Sequence, residues 1–233
     1  MNRQKSEILQ EFDNQFRSWV RAACQKWNYP IPSDKYFTKV CERIPEGLRT
    51  LLSVGVTNGL IIPKEGYRFT LKGLPIAKGP YSWFSRSVSE PAPNWEYFVQ
   101  VAEFVRLYTI AIAKGLLVTF EDDTMDIALY QDGKLIVYYE VKERVSQIQE
   151  LIKNIKAYHS NIEFAAPDRG NDPLRKAKCI VKRKPEYFAG VAIGARFEYR
   201  VIYPDERSFQ LVRDVVPLIF SYEESPRDAK PLL

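Results

Sequence analysis

The chain has 233 residues, of which 45% are hydrophobic, 27% charged and 13% aromatic; this is the composition of a folded globular protein and excludes disordered, collagenous and fibrous classes. Lys and Arg number 34 against 29 Asp and Glu, a formal net charge of +5 with an isoelectric point near 9.0, which is a mild prior for an anionic partner. No uncharged apolar stretch reaches the roughly 18 residues of a membrane span, and residues 1–10 lack the apolar segment of a secretory signal, so a soluble, cytoplasmic protein with no membrane partner is expected.

From about Glu7 to Trp27, Phe12, Phe16, Trp19, Val20, Ala23 and Trp27 recur at helical spacing until Pro30 and Pro32 end the pattern. Ser33 or Asp34 caps a short second helix with Tyr36, Phe37, Val40 and Ile44 on one face. Pro45 stops it, and a third helical segment carries Leu48, Leu51 and Leu52 towards Asn58-Gly59. Leu60-Ile61-Ile62 reads as a strand, residues 63–66 as a turn and residues 67–71 as the returning strand. The stretch GLIIPKEGYRFTLKG, residues 59–73, resembles the strand, basic turn and strand of a winged-helix domain. That resemblance implies a helical, winged-helix-like DNA-binding module over residues 1–78, with the helix around 47–57 approaching a major groove and Lys64 and Arg68 touching phosphate. Arg49 is the only base in that helix, which leaves few groups for reading base edges. Residues 79–94, with Pro80, Pro91, Pro93 and a serine-rich stretch, are expected to be a linker to a second domain over residues 95–233.

No Gly or Pro interrupts residues 95–114, where Phe98, Val101, Ala102, Val105, Tyr108 and Ile112 mark a long helix facing a core. Three apolar runs follow, at 116–120, 125–130 and 135–141, the last two separated by Asp132-Gly133. Residues 144–159 return to helical spacing, and 188–193 and 196–203 are β-rich, giving the order α-β-β-β-α-β-β. Between these last segments lies a basic tract. Residues 165–186 hold seven bases (Arg169, Arg175, Lys176, Lys178, Lys182, Arg183, Lys184) against three acids (Asp168, Asp172, Glu186), and read either as a solvated loop or as a phosphate-binding surface.

Three acid-x-lysine triplets occur, at 132–134, 140–142 and 228–230. The first sits in a turn and the last in a polar tail, but Glu140 and Lys142 end the apolar strand Leu135 to Tyr139, where period two puts both on one face. Charges at the end of a core strand are costly to desolvate unless they meet each other or a metal. Asp126 opens the preceding strand in the same way. A helix, three strands, Asp126 on the second, Glu140-x-Lys142 on the third and a helix next resemble the PD-(D/E)XK nuclease superfamily, over residues 95–203.

The resemblance implies an α/β fold with a restriction-endonuclease-like core, a mixed sheet flanked by helices, in a module order similar to Mrr-like restriction enzymes. It implies that Asp126 and Glu140 bind Mg²⁺, with Mn²⁺ as a substitute, and that Lys142 positions the attacking water. Glu103, with Glu96 as the fallback, would be the helical acid. The chain departs from the family in having Met125 where the name-giving proline stands, and in lacking a Gln-x-x-x-Tyr pair after Lys142. The chemistry is consistent on its own terms, because phosphodiester hydrolysis needs a hard cation that one or two carboxylates, water and substrate can hold. Other chemistries find less. His159 is the sole histidine, Cys24, Cys41 and Cys179 have no zinc-ligand spacing, and no phosphate-binding glycine loop is present. The expected function is metal-dependent endonucleolytic cleavage of DNA, with a homodimer as one way to cut both strands. The alternatives are a non-catalytic nucleic-acid-binding protein on the same fold, or the nuclease subunit of a transposition or recombination complex.

The shared metal sets a geometric requirement. A two-residue turn at Asp132-Gly133 would pair Gln131 with Lys134 and, in a regular ladder, place Asp126 opposite Tyr139, turning Glu140 to the other face of the sheet. A three- or five-residue loop, or a bulge near Asp126 or Gly133, is therefore predicted instead of the tight two-residue turn.

Overall fold

The computed structural model describes residues 2–73, 78–160, 162–170 and 172–213; the triplet at 228–230 lies outside the described residues. The protein is α/β and forms two compact units, divided along the chain between Arg106 and Leu107. The first unit opens with α1 (Asn2–Trp27), α2 (Asp34–Arg43) and α3 (Glu46–Thr57). These are followed by a three-stranded antiparallel sheet of β1 (Ile61–Lys64), β2 (Arg68–Leu71) and β3 (Tyr81–Ser82), and by the short pair β4 (Phe84–Ser85) and β5 (Ala92–Pro93). The predicted stripe of α1 is the buried one, with Phe12, Phe16, Trp19, Val20 and Ala23 all in the core. Residues 79–94, expected as a linker, are built into this unit. Trp83 is buried with its ring 4.0 Å from that of Phe69 and 4.8 Å from that of Trp19. Proline and serine give the segment a linker's composition, but the aromatic area of Tyr81, Trp83 and Phe84 is worth more buried than solvated.

α4 (Trp95–Ala113) spans the division between the units. The second unit then runs β6 (Leu117–Asp122), β7 (Met125–Gln131), β8 (Lys134–Val141), α5 (Val145–Lys156), α6 (Asp172–Arg183), β9 (Tyr187–Ala192), β10 (Ala195–Ile202) and β11 (Gln210–Val212). Its strands form one mixed sheet in the order β11-β10-β9-β8-β7-β6, in which β8 and β9 are parallel and the other neighbours antiparallel. A parallel pair requires a crossover, and α5 and α6 supply it. Ile148, Ile152 and Ile155 of α5 and Ala177, Ile180 and Val181 of α6 share a core with Ala128, Tyr138 and Phe188 of the sheet. The basic tract is thus neither a loop nor uniformly solvated. Its central residues form α6, whose apolar residues Leu174, Ala177, Ile180 and Val181 are buried.

The β7–β8 hairpin keeps the tight turn and meets the face requirement by another route. Asp132 (φ 49°) and Gly133 (φ 77°) occupy the left-handed positions of a two-residue turn, and Gln131 pairs with Lys134 and Tyr130 with Leu135. The register then shifts between Leu129 and Tyr130, so that Leu129 faces Val137, Ala128 faces Tyr138 and Ile127 faces Tyr139. Ile136 is the extra residue of a bulge. Continued by one step, this register sets Asp126 opposite Glu140.

β9 meets the same end of β8, with Glu140 alongside Gly190 in the parallel register. The missing side chain admits α5: a Cβ on Gly190 would lie 2.8 Å from both Ile148 and Ile152. Gly190→Ala is expected to overpack this contact and cost about 1–3 kcal/mol, measured by urea denaturation followed by far-UV circular dichroism. Trimming Ile148 to Val in the same chain should recover part of the loss.

Candidate functional site

Asp126, Glu140 and Lys142 come together at the end of the β7–β8 pair, on the sheet face that carries Ala128 and Tyr138 and is covered by α5 and α6. Glu140 is wholly buried, whereas Asp126 and Lys142 are partly exposed, so the group opens to solvent beside Glu140 and not through it. Asp126 Oδ2 accepts a hydrogen bond from the Val141 backbone N–H at 2.6 Å, one residue beyond Glu140. That bond ties the start of β7 to the end of β8. The Lys142 backbone N–H in turn donates to Val191 O at 2.9 Å, holding its strand position beside β9.

A fourth residue belongs to the group and was not anticipated there. Lys176 of α6 places Nζ 2.6 Å from Glu140 Oε1, with both side chains buried. The same ammonium donates to Thr124 O at 3.2 Å and lies 3.6 Å from Asp172 Oδ2. Thr124 O also accepts from the Tyr138 hydroxyl at 3.2 Å, so the β6–β7 turn is held against both β8 and α6. Glu140 Oε2 is buried and has no hydrogen-bond partner. The sequence signal for Lys176 was its place within the apolar stripe of α6, four residues before Ile180. It was obscured by the surrounding charge.

The electrostatics follow from burial. Desolvation pushes the Asp126 carboxyl well above its ordinary value, the charge of Glu140 adds to the rise, and Lys176, Lys142 and the Val141 N–H oppose it. Lys176 is partly destabilised as a cation by burial, but Glu140 and Asp126 outweigh that and hold its pKa above the ordinary lysine value. The Glu140 carboxyl is likewise pushed above its ordinary value by desolvation, with Lys176, the Tyr138 hydroxyl and Lys142 opposing the rise, so the two ammonium groups offset the burial of the two carboxyls only in part.

The other sequence-selected residues have partners of their own or lie exposed. Glu103 lies in the first unit, where both its oxygens accept from Arg106, at 2.6 and 3.0 Å, with both side chains buried. Glu96 opens α4 in the same unit. Lys64 is exposed beside the β1–β2 turn, while Arg68 is half-buried, donating to Pro80 O at 2.8 Å and pairing with Glu65 at 3.3 Å. Within the basic tract, Lys176 is turned inward and cannot be a surface contact. Lys178 donates to Ala166 O and pairs with Asp168 at 3.3 Å, Arg175 pairs with Asp172 at 2.6 Å, and Arg183 donates to the Tyr130 hydroxyl at 2.6 Å. Lys182 and Lys184 are exposed.

No family model matches the chain, and neither does any curated protein or solved structure. Among the described residues no group of three or more His, Cys, Asp or Glu side chains could hold a metal ion. The donors present nevertheless fit a hard divalent cation. A magnesium site needs only one or two carboxylates, with water and substrate completing the shell, and Glu140 Oε2 is a buried carboxylate oxygen without a donor.

The raised Asp126 carboxyl has a consequence for stability in the absence of divalent ions. An acid whose pKa rises on folding stabilises the native state while protonated, and that contribution is lost as pH climbs from the ordinary value of 3.8 through the folded one. Asp126→Asn, which stays neutral and can still accept from Val141, should therefore melt higher than the wild type at neutral pH in EDTA. The advantage should shrink towards pH 4. A melting difference that is flat with pH would refute the desolvation of the Asp126 carboxylate.

Proposed function

We propose that the protein is a metal-dependent deoxyribonuclease of PD-(D/E)XK type, in which the second unit is a restriction-endonuclease-like core and Asp126, Glu140 and Lys142 form the catalytic group. The observation that carries this reading is the bulge at Ile136, which turns Asp126 and Glu140 to one face despite a tight turn that would otherwise separate them. A bulge disrupts a ladder and is retained where it re-aims a side chain. The order α4-β6-β7-β8-α5 is the order the resemblance implies, and α6 then leads to β9, parallel to β8.

Asp126 and Glu140 would hold the ion. Bound there, it would polarise the phosphoryl group and make a nucleophile of water at neutral pH. The chain's own contributions are separate. Val141 N–H and the Lys176 ammonium orient the two carboxylates, and their fixed positions lower the reorganisation needed when substrate arrives. Lys142, partly exposed beside them, places a cation where charge develops on the phosphate and can orient the attacking water. Glu140, wholly buried, keeps one side of the group dry.

For DNA contact, Lys64, Arg169, Lys182 and Lys184 are the exposed bases of the sequence-selected set for which no tie to a neighbouring side chain or carbonyl is described above. Binding by the phosphate backbone is sequence-independent and salt-sensitive, which suits scattered surface lysines better than base readout.

Supercoiled plasmid incubated with the purified chain should be nicked in Mg²⁺ or Mn²⁺ and untouched in EDTA. Asp126→Ala and Glu140→Ala should abolish cleavage, whereas Lys142→Ala should retain Mn²⁺ binding and lose roughly 10²–10³ in turnover, as for removal of one charge-stabilising donor. Wild-type nicking by any of the three overturns the assignment. DNA binding without cleavage under all metal conditions would favour a non-catalytic nucleic-acid-binding protein.

Salt titration separates the surface lysines from the tied ones. The double change Lys182→Ala and Lys184→Ala is expected to flatten the slope of log K against log salt by about 0.9 per lost phosphate contact on duplex DNA. Lys178→Ala, whose ammonium is held by Ala166 O and Asp168, should leave the slope unchanged.

A further inference from the structure

We propose that Lys176 is the internal counter-cation of the Asp126–Glu140 pair, compensating it when no divalent ion is bound and holding Glu140 by one oxygen so that the other remains for the ion. The inference rests on the metal-site reading above and adds to it a positioning residue outside the acid-x-lysine motif.

Three contacts fix the ammonium. It sits 2.6 Å from Glu140 Oε1 and 3.2 Å from Thr124 O, and 3.6 Å from Asp172 Oδ2 on the first turn of its own helix. An ammonium has three donors and no acceptor; two of them are used by Glu140 Oε1 and Thr124 O, and the longer ion pair with Asp172 adds an electrostatic anchor, so the group is held from the strand, the β6–β7 turn and α6 together. Only 5% of the Lys176 side chain is exposed, and none of that of Glu140, which removes water as the agent that neutralises the carboxylate.

The two oxygens of Glu140 are thereby made unlike. Oε1 is committed to Lys176, and Oε2 is buried with no hydrogen-bond partner; the Tyr138 hydroxyl, close enough to the carboxylate to favour its ionised form, donates to Thr124 O. A buried carboxylate oxygen left without a donor is costly, and the structure keeps it. On the facing strand, Asp126 is pinned through Oδ2 to the Val141 N–H. Each carboxylate thus has one oxygen anchored to the protein, and rotation of either out of the group would break a charge-assisted bond. Lys176 therefore acts through Glu140 and is distinct from Lys142, which is partly exposed and lies one residue past the end of β8.

If Lys176 only tied α6 to the sheet, its loss would weaken the fold regardless of metal. If it is the counter-cation, its loss should make the fold depend on metal. Lys176→Met keeps the apolar stem and removes the charge, leaving the two carboxylates with Lys142 alone. Thermal melts of the full chain in EDTA and in MnCl₂, followed by circular dichroism, should show a lower melting temperature for Lys176→Met in EDTA and a larger Mn²⁺-induced rise than in the wild type. Titration calorimetry should show Mn²⁺ binding at least tenfold tighter in the variant, because a repelling charge beside the ion has gone. Lys176→Arg, which keeps the charge, should show no such gain in Mn²⁺ response over the wild type.

Equal Mn²⁺ shifts in wild type and Lys176→Met, or no shift in either, overturn the proposal. If Lys176→Met does not stay folded in EDTA, it is refolded from urea with and without MnCl₂. Recovery only with the ion supports the counter-cation role, and failure in both conditions refutes it. Plasmid cleavage is scored separately. Metal-dependent folding without cleavage would leave Lys176 in this role and remove the nuclease reading, whereas cleavage with a metal response indifferent to Lys176 would do the reverse.

Discussion

The carboxylate of Glu140 is the constraint around which the second unit is arranged. A charge with no access to water is tolerated only when other groups replace its hydration, and here the replacement comes from the far side of a crossover. Lys176 reaches it from α6, a helix that precedes β9, the parallel neighbour of Glu140's own strand. The ion pair therefore joins the sheet to its crossover layer at the place where three strands and a helix converge. Removing one partner of such a pair costs about 3–5 kcal/mol in proteins generally, because the survivor remains buried and uncompensated. An apolar pair of equal volume would often be no less stable, so the charges are better explained by what they do than by what they stabilise.

Geometry and chemistry meet in the hairpin. Two local preferences conflict there: Asp132-Gly133 favours the tight left-handed turn, and a tight turn in a regular ladder sends Asp126 and Glu140 to opposite faces. One inserted residue, Ile136, resolves the conflict, and the strand beyond it keeps regular pairing up to Ile127 and Tyr139. The Val141–Asp126 bond then closes the end of the ladder with a side chain in place of a backbone carbonyl. Gly190 completes the arrangement on the other flank by letting α5 approach the strand that borders Glu140.

Much of this was legible in the sequence because it depended on local periodicity. The apolar stripe of α1, the three strands after α4 and the common face of Glu140 and Lys142 all follow from spacing alone. The need for a register shift also followed, although its position did not, since nothing in Leu135-Ile136-Val137 distinguishes the residue that is squeezed out. Lys176 was misread for a different reason. In a tract where bases outnumber acids, charge density suggests a solvated surface, yet Leu174, Ala177, Ile180 and Val181 carry a helical stripe that Lys176 interrupts. A lone lysine inside an amphipathic stripe, four residues from an isoleucine, is a signal for a buried carboxylate elsewhere in the fold. Residues 79–94 failed in the opposite sense, because proline and serine masked the aromatic side chains that hold the segment in the first unit.

The aromatic core of the first unit has a bearing on how the protein reports its own unfolding. All 4 tryptophans, Trp19, Trp27, Trp83 and Trp95, precede Arg106, and two of them stack on one another in the interior. Intrinsic tryptophan emission is thus a probe of the first unit, while the second unit, with tyrosines such as Tyr138 and Tyr199 in its core, is nearly silent at those wavelengths. A loss of structure around Asp126 and Glu140 could pass unseen in a fluorescence melt that looks fully cooperative. A tryptophan placed in the second unit would give each half of the chain its own optical signature.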